Sequence, residues 1–305
     1  MQTTKIVSLS RRKFINAASL ATAGLMLKIP AFAGSENLKP NSRFGGVQIG
    51  AITWSWRSMP TSAQDIIKYC TEAGISSLEL MGDVAEKFAG LPSDPEDQRR
   101  WRLSVNMEKF RELRKLFDDA GINIHLIRTR TPQWSEEEID YGFKLAKTLG
   151  ANGISEEIGH DNCRRLGAIA QKHDLYAVFH NHKQMQDPTF SFDAFLVYSP
   201  NIMLNIDVGH YIAATGVHPN KVIDRLNERI FSIHLRDMTS KNSLVPGLNK
   251  PWGEGDTPFT DILKLIQDRR WPIHCDIELA YPVPPNSTAQ QEVIKCINYC
   301  KGILT

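Results

Sequence analysis

Residues 175–182 read LYAVFHNH, residues 202–210 read IMLNIDVGH and residues 229–237 read RIFSIHLRD. Each segment begins with an apolar run of the length expected for a buried strand, and each ends in polar side chains. The polar ends recur at intervals of 27 residues, close to the length of one strand–helix unit. Strands of a parallel barrel all end at the same mouth, so these side chains are expected to converge there.

Four candidate metal ligands stand at such strand ends. His180, Asp207 and His234 follow one another at 27 residues, and Glu278 comes after 44 because a Gly- and Pro-rich insertion lengthens that unit. Two imidazoles and two carboxylates suit one divalent metal ion, with Mn²⁺ or Zn²⁺ favoured over Co²⁺ and Mg²⁺. A single buried His or Asp is more often a hydrogen-bonded core residue. The four together predict a metal centre.

Strand-like and helix-like patterns alternate along most of the chain. Eight strands and eight helices predict a single (β/α)8 TIM barrel over residues 46–305. A doubly wound open sheet is the alternative, but no Gly-x-Gly-x-x-Gly follows the first strand. Residues 83–102 and 238–257 are predicted to be long loops on the catalytic face. The predicted strands are 47–54, 76–82, 122–130, 151–157, 175–182, 202–210, 229–237 and 271–278. The predicted helices are 61–74, 103–121, 135–150, 162–174, 191–199, 218–228, 257–270 and 288–304.

The first 33 residues have the pattern of an export signal. Arg11 and Arg12 stand in Ser-Arg-Arg-Lys-Phe-Ile, a modest apolar run follows, and residues 31–33 form a small-x-small cleavage site. The segment resembles the twin-arginine signals of bacteria, which implies export of the folded protein to the periplasm by the twin-arginine machinery. A basic amphipathic helix is the alternative. A polar linker is predicted over 34–45.

Charge and cysteine content disfavour several classes of protein. The net charge is +2, and cleavage after Ala33 would remove five basic residues and no acidic one, which leaves −3. A nucleic-acid-binding protein is therefore not expected. No segment has the apolar length of a stable membrane anchor. The five cysteines are odd in number and include no Cys-x-x-Cys pair, so a disulfide framework is not expected.

Six short motifs lie at or after the predicted strand ends. They are LELMG (78–82), FHNH (179–182), DVGH (207–210), HLRD (234–237), WGEGDTPF (252–259) and the strand-end Glu278. In this order and spacing, the chain resembles the sugar isomerase/epimerase family of xylose-isomerase-like TIM barrels, which also contains inosose dehydratases and endonuclease IV-type enzymes. The resemblance extends over residues 47–302. It implies a small-molecule sugar or sugar derivative as substrate.

The resemblance also implies roles for individual residues. One divalent metal ion would be held by His180, Asp207, His234 and Glu278. The side chains that would face the substrate are Glu79, His182, His210, Arg236 and Glu254.

Two further features near strand ends have open alternatives. Trp54, at the end of the first predicted strand, is a candidate for stacking on a sugar ring, with ordinary packing as the alternative. Glu156 and Glu157, after the fourth strand, are expected to favour the start of the following helix, with substrate contact as the second interpretation.

Two departures from the family pattern affect the expected chemistry. Many epimerases of the family have Glu at the position of His180, where it is one of two acid/base carboxylates. The family's frequent Lys is Arg236 here, and arginine is a poor proton donor that more readily orients oxygen atoms. We therefore expect enolisation next to a carbonyl, with Glu278, or His182 through a water, as the catalytic proton acceptor.

Three functions follow from these features. The leading interpretation is an exported metal-dependent isomerase or epimerase acting on a sugar or sugar derivative. A lyase or dehydratase acting on a keto-sugar, keto-glycoside or inosose is the second. A non-catalytic carbohydrate-binding barrel is the third, and the presence of Glu278 argues against it.

Overall fold

The structure, a computed structural model, describes residues 39–129 and 131–305, and this part of the chain forms one compact unit. The predicted export signal (1–33) and the first part of the predicted linker lie outside the described residues. None of the described helices combines the length and the apolar character needed to cross a membrane.

Eight parallel strands form a closed barrel, as predicted. Each strand pairs with the next one along the chain, and the last pairs with the first, for example through Ala51 and Ile277. This closure rules out the doubly wound open sheet. A short additional strand, Arg43–Phe44, pairs antiparallel with the first barrel strand, so the end of the predicted linker is part of the folded unit. The strands are β1 (Arg43–Phe44), β2 (Val47–Ile52), β3 (Ser77–Met81), β4 (Asn123–Arg128), β5 (Gly153–Glu157), β6 (Tyr176–His180), β7 (Ile202–Asp207), β8 (Ile230–Leu235) and β9 (His274–Ile277).

Eleven α-helices lie among the described residues, most of them where the sequence pattern predicts a helix. The one over 136–148 begins with a capping box, in which Ser135 and Glu138 each bond the other's backbone amide. The first helix begins with a second capping box, in which Ser62 is the cap. The helices are α1 (Ala63–Ala73), α2 (Gly82–Ala89), α3 (Pro95–Ser104), α4 (Glu108–Asp119), α5 (Glu136–Thr148), α6 (His160–His173), α7 (Asp193–Leu196), α8 (Val208–Thr215), α9 (Asn220–Leu226), α10 (Phe259–Arg269) and α11 (Ala289–Leu304).

The segment 83–102 is largely helical, which corrects the prediction of a long loop. Helix α2 is terminated by Gly90, whose φ of +94° lies in the left-handed region that glycine adopts without strain. Helix α3 starts soon afterwards at Pro95, where the Asp94 side chain accepts a hydrogen bond from an amide of the first turn. The next predicted helix accordingly begins later, at Glu108.

The main core lies between the barrel and its ring of helices. Large side chains such as Trp56, Phe143 and Phe259 are completely buried there. Trp56 also donates from Nε1 to Gln290 at 2.7 Å, so it is a packing residue. The five cysteines are buried free thiols.

A polar network fills the interior of the barrel below its mouth. His125 Nε2 lies 3.0 Å from Asp276 Oδ2, and His125 Nδ1 lies 2.9 Å from the Ser77 hydroxyl. The His274 ring stacks on His125 with centroids 4.2 Å apart. Gly50 makes room for this network, because a Cβ there would lie 2.1 Å from Asp276 Oδ1. These side chains form the floor on which the mouth of the barrel is built.

Candidate metal centre and active site

The four predicted metal ligands meet at the mouth of the barrel. His180 and Asp207 are the last residues of β6 and β7, His234 lies near the end of β8, and Glu278 follows β9 directly. One nitrogen or carboxylate oxygen from each lies within 4.8 Å of the corresponding atoms of the others. All four side chains are buried. The structure therefore brings together the set that the strand spacing predicted.

The distances from His180 to two carboxylates of this cluster fit a shared ion better than direct hydrogen bonds. His180 Nε2 lies 3.5 Å from Asp207 Oδ2 and 3.7 Å from Glu278 Oε2. Two ligand atoms that are each about 2.1 Å from one ion lie roughly 3–4 Å apart. His180 Nε2 and Asp207 Oδ2 are buried without a hydrogen-bond partner, which is costly unless something else binds them. The cluster could therefore hold a divalent ion.

Nearby positive charge keeps the two carboxylates of the cluster ionised. Burial alone would raise the pKa of Asp207, but the charge of Arg236 lowers it to about 2. Burial opposes the ionisation of Glu278 as well, yet the charge of Arg236 holds its pKa well below the usual range. Both groups are therefore anionic at neutral pH.

The carboxylates in turn raise the pKa values of the two imidazoles. Burial would lower the pKa of His234, but the charge of Glu79 and the hydrogen bond to Glu278 raise it to about 9. The neighbouring carboxylates, Asp207 first among them, likewise raise the pKa of His180 well above its usual value, against the effect of burial. The protein thus surrounds the cluster with negative charge, an environment that favours a cation.

Asp207 also positions His210. Strand β7 ends at Asp207, and its Oδ1 accepts a hydrogen bond from the His210 amide at 2.7 Å and caps helix α8. The predicted strand 202–210 is therefore shorter, because its last residues form the first turn of that helix. Burial lowers the pKa of His210 to about 4, so the ring is neutral near pH 7. His210 Nε2 accepts a hydrogen bond from Arg236 at 2.8 Å, which leaves Nδ1 as a hydrogen donor.

Arg236 lies between two of the predicted ligands. Its Nε lies 3.1 Å from Asp207 Oδ2, and its Nη2 donates to Glu278. Only 8% of Arg236 is exposed. The resemblance implies that this guanidinium faces the substrate, but in the structure it is bonded to the protein's own carboxylates and to His210. Arg236 therefore holds the ligand carboxylates in place.

Glu157 reaches the mouth of the barrel beside His180, which corrects the expectation that it serves the start of the next helix. Its Oε2 lies 2.7 Å from His182 Nδ1, and Arg128 donates to its other oxygen. The following helix starts at His160 without any side-chain cap. The sequence signal for this role was its position, because Glu157 ends β5 and is the register partner of His180. The contact of Arg128, at the end of β4, with this site was not predicted, because no sequence motif marks that residue.

Glu156 does not cap the next helix either. Its carboxylate accepts hydrogen bonds from the Thr131 amide at 2.6 Å and from the Thr131 hydroxyl at 2.8 Å. Glu156 is buried, and it fixes the turn that follows β4.

His182 occupies the open side of the site. Its side chain is 43% exposed, and its ring centroid lies 4.7 Å from those of His180 and His210. A hydrogen carried on Nδ1, which lies 2.7 Å from the Glu157 carboxylate, leaves the lone pair of Nε2 as an acceptor. This geometry suits a group that takes up a proton.

Glu79 does not face the mouth, contrary to what the resemblance implies. It is completely buried in the middle of β3. It accepts hydrogen bonds from His234 Nε2 at 2.7 Å, from Asn205 Nδ2 at 3.3 Å and from the Ser155 hydroxyl. Burial would raise the pKa of Glu79, but these partners, His234 above all, lower it to about 2. Glu79 therefore contacts the predicted metal ligand His234 from the interior of the barrel.

Trp54 and Glu254 are exposed residues on segments that follow barrel strands. Trp54 is part of the turn Thr53–Trp56 after β2, is 39% exposed, and has the Arg57 guanidinium 5.3 Å from its ring centroid. Glu254 is exposed in the irregular loop 238–257. Among the described residues, it forms no hydrogen bond or ion pair with the four-ligand cluster.

The loop that carries Glu254 is anchored by Asp237. The Asp237 carboxylate accepts hydrogen bonds from the amides of Gly253, Gly255 and Thr257 at 2.8, 3.0 and 3.2 Å. A Cβ on Gly255 would lie 2.2 Å from Asp237 Oδ1, so only glycine permits this approach. The loop is irregular, as predicted, but its backbone is tied to the end of β8.

Comparison with known proteins agrees with this architecture. The family model described as xylose isomerase-like TIM barrel matches residues 155–300, which include all four predicted ligands. No curated protein matches the chain.

Several solved structures are similar to the chain over most of its length. A sugar phosphate isomerase/epimerase from Parabacteroides distasonis shares 16% identity with a TM-score of 0.61, over 85% of this chain and 96% of that one. The probable 3-DHS dehydratase AsbF of petrobactin synthesis from Bacillus anthracis shares 17% with a TM-score of 0.61, over 83% and 98%. A xylose isomerase domain protein from Alicyclobacillus acidocaldarius shares 11% with a TM-score of 0.62, over 84% and 99%. These similarities establish the xylose isomerase-like TIM barrel fold.

Proposed function

We propose that the protein is a metal-dependent enzyme of the xylose isomerase-like family that enolises a sugar or sugar derivative next to a carbonyl group. The observation that carries this proposal is the convergence of His180, Asp207, His234 and Glu278, with buried ligand atoms that lack hydrogen-bond partners. The names of the similar structures, a sugar phosphate isomerase/epimerase and a probable dehydratase, support the reaction class. An isomerase or epimerase is the leading assignment.

An ion bound by the four ligands would polarise a substrate carbonyl and its neighbouring hydroxyl, and would thereby acidify the C–H bond between them. His182 and Glu278 are the two candidates for accepting that proton. The geometry favours His182, because Glu278 is itself one of the four predicted ligands and its other oxygen accepts a hydrogen bond from Arg236. His182 Nε2, by contrast, is open to the mouth.

Two neighbouring groups support His182 in this role. The Glu157 carboxylate lies 2.7 Å from His182 Nδ1 and orients the ring, and Arg128 donates to the other oxygen of Glu157 and anchors it in turn. The free N–H at His210 Nδ1 can donate a hydrogen bond to the oxygen on which negative charge develops. The site thus contains an oriented base and a neutral hydrogen donor.

A lyase or dehydratase is the second candidate, and the pair of imidazoles at the mouth favours it. The ring centroids of His182 and His210 lie 4.7 Å apart. After the C–H bond breaks, His182 carries the proton and can return it to a β-oxygen as the C–O bond breaks. His210 can hydrogen-bond the departing oxygen, so that water or an alcohol leaves and a carbon–carbon double bond remains.

One experiment separates these reactions. The purified protein, loaded with Mn²⁺ or Zn²⁺, is incubated with a panel of sugars and keto-sugars in heavy water. Deuterium next to the carbonyl with no fragment lost supports an isomerase or epimerase, whereas release of water or an alcohol supports a lyase. Binding without exchange or release across the panel would identify a carbohydrate-binding barrel instead. Asp207→Asn is the matched control and should show neither exchange nor release.

We also propose that the protein is exported to the periplasm by the twin-arginine route. Arg11, Arg12, the apolar run and the small-x-small site at 31–33 support this proposal. Cell fractionation should find a shortened form in the periplasm. The double substitution Arg11→Lys with Arg12→Lys should leave the full-length chain in the cytoplasm. Equal export of the double variant would contradict the twin-arginine route.

A further inference from the structure

Glu79 is a buried carboxylate that the proposed reaction does not use directly. It is 0% exposed and is the third of the five residues of β3, well below the strand end. A substrate at the mouth therefore cannot contact it. Burying a charge at such a position is expensive unless the group is paired and hydrogen-bonded. Its position therefore calls for a function inside the protein.

The partners of Glu79 hold it in one orientation. The Ser155 hydroxyl donates to Oε1, and the Asn205 amide donates to Oε2 at 3.3 Å. Both partners are completely buried. Oε2 also accepts from His234 Nε2 at 2.7 Å. Glu79 is thus a fixed acceptor for one nitrogen of a predicted metal ligand.

This contact decides which nitrogen of His234 faces the cluster. Nε2 is committed to Glu79, while Nδ1 lies 2.8 Å from Glu278 Oε2, on the side of the other ligands. An imidazole that donates from Nε2 offers its lone pair at Nδ1. Glu79 therefore selects the tautomer and sets the rotation of the ring.

We propose that Glu79 is a positioning residue of the metal centre, which holds His234 so that Nδ1 is the ligand atom. This inference rests on the proposed metal-dependent function and goes beyond it by naming the group that sets the affinity for the ion. A carboxylate behind a ligating histidine fixes the orientation of the ring and increases its basicity. Ser155 and Asn205 donate hydrogen bonds to Glu79 and so hold this carboxylate in turn.

The test compares metal binding by Glu79→Ala, Glu79→Gln and the unsubstituted protein. Affinity for Mn²⁺ and Zn²⁺ is measured by competition with a chromophoric chelator, and the environment of the ion by the absorption spectrum of bound Co²⁺. We expect Glu79→Ala to weaken binding by about 10–100-fold and to shift the Co²⁺ spectrum. Glu79→Gln keeps an acceptor oxygen but loses the charge. Its affinity for the metal ion should therefore lie between that of Glu79→Ala and that of the unsubstituted protein. If Glu79→Ala does not fold, Glu79→Gln alone decides.

Glu292→Gln is the matched control. Glu292 is also a buried carboxylate, 3% exposed, and accepts hydrogen bonds from the Tyr281 hydroxyl at 2.8 Å and from Lys295 at 2.6 Å. Its substitution should change stability but neither the metal affinity nor the Co²⁺ spectrum. Unchanged affinity and spectrum in folded Glu79→Gln would overturn the positioning role alone. Failure of the unsubstituted protein to bind any divalent ion would instead overturn the proposed function.

Discussion

Asp207 contacts His210 and His180 with different oxygen atoms. Its Oδ1 accepts the His210 amide at 2.7 Å and caps helix α8, while Oδ2 lies 3.5 Å from His180 Nε2 inside the ligand cluster. One carboxylate therefore links the start of a helix to the candidate metal centre. These two functions can be separated by substitution, because an asparagine can replace the cap but not the anionic ligand.

We expect Asp207→Asn to fold normally and to lose its metal ion. The loss of affinity should exceed the roughly 10–100-fold that removal of an outer hydrogen bond costs. Asp207→Ala should lose the cap as well, at a further cost of about 1 kcal/mol in the free energy of unfolding. Metal titration and thermal unfolding in a chelator measure the two effects. Metal affinity in Asp207→Asn equal to that of the unsubstituted protein would contradict the ligand assignment.

His182 and Glu278 are expected to respond differently to substitution. His182→Gln should lower kcat by about 10²–10⁴-fold while the bound metal is retained, because it removes only the proton acceptor. Glu278→Gln should abolish turnover and weaken metal binding together. Steady-state kinetics and metal analysis of both variants check this, with the exposed His160→Gln as control. Near-full turnover by metal-loaded His182→Gln would return the role of base to Glu278.

Gly255→Ala should disturb the loop that carries Glu254. The added Cβ would lie 2.2 Å from Asp237 Oδ1, and Asp237 is held by three backbone amides and cannot move freely. We expect a loss of about 1–3 kcal/mol in unfolding free energy and a higher KM. Gly302→Ala, at a helix position where a Cβ meets nothing within 4 Å, is the control and should cost no stability. Equal stability of the two variants would show that the loop is not fixed by this contact.

Asp140 is expected to make stability depend on acid pH. Burial would raise its pKa, but hydrogen bonds from Lys144, Lys172 and His173 hold the pKa well below the usual range. The folded pKa lies below the unfolded value of about 3.9, so the stabilisation is present above that pH and is lost as pH falls towards the folded pKa. The difference in unfolding free energy between the unsubstituted protein and Asp140→Asn should therefore shrink from about pH 6 to about pH 2. Asp161→Asn, at a position 72% exposed, should show a much smaller change.

The barrel and the convergence of the four candidate ligands could be predicted because strand alternation and unit length determine which side chains reach the mouth. These patterns do not show how far a side chain lies from the mouth of the barrel along its strand. Glu79 and Glu157 both lie on barrel strands, but Glu79 is in the middle of β3 and Glu157 is at the end of β5. The first therefore supports a ligand from below, and the second reaches the mouth.

The helix Pro95–Ser104 was missed for a different physical reason. None of its residues is buried, so it lacks the apolar periodicity by which helices are recognised. The local signals at its start, Asp94 before Pro95, were present in the sequence. Signals of this kind indicate a helix start whether or not the residues that follow are buried.

The floor of the barrel limits how molecules can pass through the site. Ser77, His125 and Asp276 fill the interior below the ligands and are inaccessible to solvent. A barrel filled in this way has a single entrance, so whatever enters at the mouth must also depart there. The product therefore occupies the same opening as the incoming molecule, and it is expected to act as a competitive inhibitor at high conversion.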